Sequence, residues 1–270
     1  MKGPHMVQRT LLLVLVLLVF SGHEWSSVRP SGAGRNEHLV MSVLWFQRSA
    51  EMRALSYQAF NLARLRLDED RSQNKGMKKR AVVVDVDETL LDNSPHMGKL
   101  IKNNEAFPYA WTEWVNRAEA EALPGAVEFL TYAASKGYDV FYVSNRSAKT
   151  EINGTIENLK KKEFPQALPD HIMLKEDQSS KEGRRNAIEK THEIILLIGD
   201  NLNDLDSTFE KKSIVDRSGE VDKAMDKFGN RFIVLPNPMY GEWENAVYEY
   251  QRGLSDKEKD VLRKSAIKDF

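Results

Sequence analysis

There is no cysteine among the 270 residues. Disulfides are therefore excluded, and stability must come from a packed core alone, which a chain of this length can build. Net charge is also nearly absent, with 39 Lys and Arg against 40 Asp and Glu. No overall field exists to draw the protein onto nucleic acid polymers or an anionic membrane, so any anion it binds must be held locally. No apolar run is long enough to span a bilayer: Leu11 to Phe20 gives ten residues, against roughly 20 needed in a helix. No internal repeat or low-complexity segment occurs, and the six histidines show no ligand spacing. His96 stands apart only because it lies close to an acidic motif.

The short apolar run has another reading. Lys2 and Arg9 precede it, and the small residues Ser21 and Gly22 follow it, so residues 1–23 read as an export signal or N-terminal anchor. An exported protein, periplasmic, cell-surface or secreted, is expected. LVFSG ends where a bacterial lipoprotein carries its cysteine, but this chain has His23, which argues against lipid anchoring. Residues 24–35, with Pro30, Gly32 and Gly34, read as a linker. In residues 36–75, Leu39, Val43, Leu44, Phe46, Ala50, Leu55, Ala59, Leu62 and Leu65 recur at helical spacing and predict one or two amphipathic helices.

From residue 76 to 254 the pattern alternates. AVVVDVD, YDVFYVSNR, DHIMLK, IILLIGD and RFIVLP read as strands, separated by helical stretches at 124–136, 149–162 and 180–190. β-branched runs that are apolar on both faces suit a parallel sheet, and the alternation predicts an α/β fold with right-handed crossovers. Residues 93–123, with Phe107, Tyr109, Trp111 and Trp114, form an insertion. Residues 255–270 read as a charged, solvated helix.

Three strand ends carry polar residues: DVDET after VVV, SNR after FYV, and GDNLND after IILLI. In a parallel sheet these ends face one crevice, where ligands of such folds bind. Asp85, Asp87, Asp200 and Asp204 would then share a small volume. Two carboxylates about 4 Å apart repel by roughly 4 kcal/mol at an effective dielectric near 20, so a cation is required, and an all-oxygen site with partial protein coordination suits Mg²⁺. Such a site fits phosphoryl transfer. Asp85 could attack phosphorus, and Asp87 could protonate the leaving oxygen and then deprotonate water. Ser144, Asn145 and nearby backbone amides would hold phosphate oxygens, with a lysine completing the neutralisation.

DVDETLLDNSP, FYVSNR, the lysine of DQSSK and IGDNLNDLD resemble, in order, the four motifs of the haloacid dehalogenase-like (HAD) phosphatases. More narrowly, with WFQRSAEMRALSYQAFN, PGAVEFL and LPNPMYGEWE, the chain resembles the class C bacterial acid phosphatases and lipoprotein-type 5′-nucleotidases from about Ser42 to Glu244. The resemblance implies a HAD-like sheet with a smaller helical cap built partly from the N-terminal helices. Asp85 matches the nucleophile and metal ligand, Asp87 the acid/base that lends its backbone carbonyl to Mg²⁺, Asp200 a direct ligand and Asp204 its support. Ser144 matches a phosphate-binding hydroxyl. Lys181 matches the third-motif lysine better than Lys175, while Tyr240 matches an aromatic against the substrate's base, with Trp111 facing it. A homodimer hydrolysing nucleoside monophosphates, nicotinamide mononucleotide and small aryl phosphates is implied. Two other functions fit the same scaffold: a surface binder of haem or a host factor, and phosphotransfer to an alcohol.

Overall fold

The computed structural model describes residues 34–73 and 78–270. The signal and nearly all of the linker expected over residues 1–35 lie outside them. Helix α1 (Val40–Arg48) and helix α2 (Ala50–Gln73) are separated by extended Ser49, whose hydroxyl accepts the Met52 amide at 3.0 Å. The buried face of α2 runs through Met52, Ser56, Ala59, Phe60, Ala63 and Leu67, while Leu44, Leu55 and Leu65 of the predicted pattern are exposed. Small and large residues are interspersed along this face. Ser56 lies flush with the core, donating to the Pro124 carbonyl at 2.7 Å, and Phe60 stacks on Phe129 at 5.7 Å.

Strand β1 (Lys79–Val84) is buried on both faces from Ala81 onward. Ala81 and Val83 enter one hydrophobic cluster and Val82 and Val84 the other, as a two-residue period requires. The chain then forms β2 (Leu91–Asp92), helix α3 (Ser94–Asn103), helix α4 (Trp111–Arg117) and β3 (Glu121–Ala122). Antiparallel pairing of Leu91 with Ala122 and Asp92 with Glu121 closes this insertion at its stem.

Helix α5 (Ala126–Ser135), strand β4 (Asp139–Ser147), helix α6 (Ile152–Lys161), strand β5 (Ile172–Lys175), helix α7 (Glu182–Glu189) and strand β6 (His192–Gly199) continue the alternation. Helix α8 (Leu202–Leu205), helix α9 (Ile214–Lys223) and strand β7 (Phe232–Val234) follow. All five predicted strands join one parallel sheet, ordered β5-β4-β1-β6-β7. With β1 central and β4 and β6 beside it, the three polar strand ends open into one crevice.

Helix α10 (Glu242–Val247) and helix α11 (Asp256–Ser265) end the chain. No residue of α11 is buried, as the solvated-face reading of residues 255–270 expects, yet Asp256, Lys259 and Arg263 also line the cavity, and exposed Asp256 pairs with Arg35 at 2.8 Å. Polar residues at 256, 259 and 263 follow helical spacing and so share one face. Their charge hid the contact.

Candidate active site

A cavity of about 610 Å³ opens over the carboxyl ends of β1, β4 and β6. Asp85, the first residue after β1, is buried, and the Lys181 ammonium pairs with its Oδ1. The same ammonium lies 2.7 Å from Asp204 Oδ1. Asp200 completes the group through Thr89, whose hydroxyl is 3.0 Å from Asp200 Oδ1 and 3.3 Å from Asp85 Oδ2. The Asn237 amide donates to the other Asp200 oxygen at 2.8 Å.

Lys181 is buried at the start of α7, whereas Lys175 ends β5 and does not line the cavity. Burial opposes the Lys181 charge, but Asp204 and Asp85 outweigh it and hold the ammonium above its ordinary pKa. One ammonium among three carboxylates leaves surplus negative charge. Burial, only partly offset by Lys181, and the neighbouring aspartates push Asp85 well above the carboxylate range; burial and Asp204 push Asp200 up to about 7.

Gly199 makes the close approach of Asp204 possible. A Cβ there would lie 2.5 Å from the Asp204 side chain. Asp204 also accepts the Asn201 amide at 3.0 Å, and Asn201 Oδ1 accepts the Asn203 amide at 3.2 Å, fixing the short helix α8.

Asp87 has a separate environment. Its Oδ1 accepts from Arg146 Nε at 2.9 Å and from the Asn93 amide at 2.9 Å, with Arg146 Nη2 at 2.8 Å; its Oδ2 accepts the Ser144 hydroxyl at 3.0 Å. Ser144 is buried, also accepts the Arg146 amide at 3.1 Å, and lies behind Asp87 rather than on the cavity wall. Its hydroxyl thus stands directly beside Asp87. Asn145 does line the cavity, where its Oδ1 accepts from Arg184 at 2.6 Å.

Trp111 and Tyr240 both line the cavity. Trp111 sits edge-on to His96 at 5.1 Å and 5.8 Å from the Arg146 guanidinium. His96 is buried and bonds the Tyr109 carbonyl at 2.8 Å; desolvation lowers its pKa. Arg146, Thr89, Asn93 and Asn237 were absent from the sequence-based site. Arg146 could have been found, because it stands two residues after Ser144 in SNR and side chains two apart on a strand share a face.

Buried carboxylates at the carboxyl edge of a parallel sheet, one group around a lysine and another on an arginine, place the chain among phosphomonoester hydrolases of the HAD fold. It belongs to the HAD superfamily, subfamily IIIB (acid phosphatase), whose profile matches residues 27–243. The class C acid phosphatase of Bacillus anthracis is 44% identical, with a TM-score of 0.84 over 87% of this chain and 99% of that one. A tungstate-bound structure of the Bacillus anthracis enzyme matches at 45% identity and TM-score 0.83, covering 86% of this chain and 98% of that one. The stem 31 kDa glycoprotein of Glycine max is 30% identical over 162 residues, covering 57% of each chain. The chain thus spans a little over half the length of that curated relative.

Proposed function

We propose that the protein is an exported, Mg²⁺-dependent acid phosphatase that hydrolyses nucleoside 5′-monophosphates and nicotinamide mononucleotide through an aspartyl phosphate on Asp85. The observation that carries this reading is the division of the aspartates. Asp85, Asp200 and Asp204 each offer an oxygen within 4.8 Å of the others, while Asp87 is turned to Arg146. An all-oxygen donor set fits a hard divalent cation, which would be held by those three side chains, with the Asp87 carbonyl as the family resemblance implies. When bound, it would neutralise the cluster and polarise the phosphoryl group.

In the first step an Asp85 oxygen forms the bond to phosphorus as the ester oxygen leaves with a proton from Asp87. In the second, Asp87 takes a proton from water, whose oxygen attacks phosphorus and returns Asp85 and inorganic phosphate. Lys181 holds the Asp85 carboxylate in place and offsets its charge, and Asn145 and the backbone amides after Asp85 offer donors to phosphoryl oxygens. Tungstate binding by the Bacillus anthracis relative supports an oxyanion site in this crevice. The aromatic side chains on the cavity wall support a substrate with a ring. The apolar run at residues 11–20 supports export, and a homodimer is what the family resemblance implies.

Release of inorganic phosphate from a nucleotide panel tests the activity. Asp85→Asn should abolish turnover while its circular dichroism matches wild type. Near wild-type turnover in that variant would sink the mechanism, and full activity in a chelator would sink the metal assignment.

A further inference from the structure

Glu88 follows Asp87 directly, yet the mechanism does not use it and it does not line the cavity. It is fully buried, and no Lys, Arg or His among the described residues pairs with its carboxylate. Its φ of 58° is in the left-handed region, which an L side chain occupies at a cost. A buried, unpaired carboxylate on a strained backbone persists only where its surroundings over-determine it. Three contacts do so. Its Oε1 accepts the Asn93 amide at 2.8 Å, its backbone amide donates to the Leu91 carbonyl at 3.0 Å, and its Oε2 accepts the Tyr240 hydroxyl.

Two of these contacts lead into the site. Asn93 donates from its side chain to Asp87 Oδ1 at 2.9 Å and accepts from Trp114 Nε1 of the insertion at 2.8 Å. Tyr240 presents its ring to the cavity, and the Met239 amide of its loop donates at 2.9 Å to Asn237, the residue that holds Asp200. Glu88 therefore ties the aromatic wall to the side chain that orients Asp87.

We infer that Glu88 is a positioning residue, one that fixes the Tyr240 ring for substrates bearing a ring and, through Asn93, fixes Asp87 for proton transfer. This rests on the ring-bearing substrates proposed above. Glu88 touches no substrate itself. Its two side-chain oxygens each accept from a different donor, Asn93 and Tyr240, an arrangement that an amide cannot copy with its single acceptor oxygen.

The experiment compares wild type, Tyr240→Phe, Glu88→Gln and the double variant on uridine 5′-monophosphate and glycerol 2-phosphate, which carries no ring. The readout is the ratio of kcat/KM for the two substrates. Tyr240→Phe keeps the ring and removes only the hydroxyl, and should lower the ratio about two- to ten-fold, the scale of one lost hydrogen bond. Glu88→Gln should lower the ratio similarly and also reduce kcat on both substrates, while the double variant should lower the ratio no further than either single change. An unchanged ratio in both single variants overturns the inference. So does an equal fall on both substrates in step with a lower Tm, which marks a merely structural role; Tyr240→Phe tests the ratio even where Glu88→Gln does not fold. A wild-type enzyme with no preference for the ring-bearing substrate overturns the substrate reading itself, and the inference with it. A wild-type preference that survives both variants overturns this inference alone.

Discussion

Removing divalent cations should make the folded protein less stable as pH rises from about 4 to about 7. Asp200 is the group to follow. Its carboxyl has an ordinary value of 3.8 and is pushed to about 7 in the folded chain by burial and by Asp204, against the pull of Asn237, Lys181 and Thr89. Between those values the native state binds a proton that the unfolded chain has released. The stabilisation from this group is therefore complete below the unfolded value and is lost as pH rises through the folded one. At about 1.4 kcal/mol per pKa unit, the full displacement approaches an upper limit of about 4 kcal/mol. That is a large fraction of the roughly 5–15 kcal/mol that holds a typical domain together. Urea denaturation midpoints measured in a chelator from about pH 4.5 to about pH 8 should fall, and excess Mg²⁺ should flatten the profile. Asp200→Asn in chelator should show a shallower slope and exceed wild type at the alkaline end. A wild-type profile that stays flat in chelator, or an Asp200→Asn protein less stable than wild type near pH 8, would refute the electrostatic reasoning.

Arg146→Met should destabilise the protein by about 1–3 kcal/mol, because Asp87 loses the buried guanidinium that grips it; adding Asp87→Asn should recover part of the loss in a denaturation series, and no recovery counts against the pairing. Gly199→Ala should weaken Mg²⁺ binding measured calorimetrically more than it lowers Tm, since the new Cβ would meet Asp204 at 2.5 Å. Unchanged Mg²⁺ affinity would show that Asp204 does not need that approach.

The sheet was legible because its strands are contiguous β-branched runs whose burial on both faces leaves little doubt about their setting. The aspartates were legible because each follows such a run, so strand direction alone carries them to one edge. Elsewhere, pattern and packing separate. Leu55 and Leu65 have the helical spacing of a core stripe, yet the buried face of α2 runs through Ser56 and Ala63 as well as Phe60 and Leu67, and two small residues among large ones do not read as a core stripe. The α11 residues that reach the cavity are charged, and charge at helical spacing reads as a solvated face until the partner, here Arg35 on the far side of the chain, is known. Lys181 and Lys175 are both plausible from sequence because neither proximity in the chain nor residue type records which ammonium enters the crevice. The fold places Lys181 at the opening of α7, directly between Asp85 and Asp204.

Ser144 shows why two aspartates separated by one residue can differ in chemistry. Strand β4 directs Ser144 and Arg146 to the same partner, and both bind Asp87, not Asp85. Asp85 instead shares Lys181 with Asp204 and lies among the oxygens that can hold a cation. A nucleophile needs an oxygen free to approach phosphorus; an acid/base needs a fixed orientation and a route for one proton. Asp87 is gripped by three side chains from β4 and the insertion, so it is oriented independently of whatever Asp85 binds. Arg146 also lies 5.8 Å from the Trp111 ring on the cavity wall, and Asn93 accepts from Trp114 of the insertion at 2.8 Å. In the mechanism proposed above, the side chains that orient the proton donor are thus distinct from those that surround the nucleophile, a division that follows from Asp87 standing two residues after Asp85, on the turn that leaves the strand.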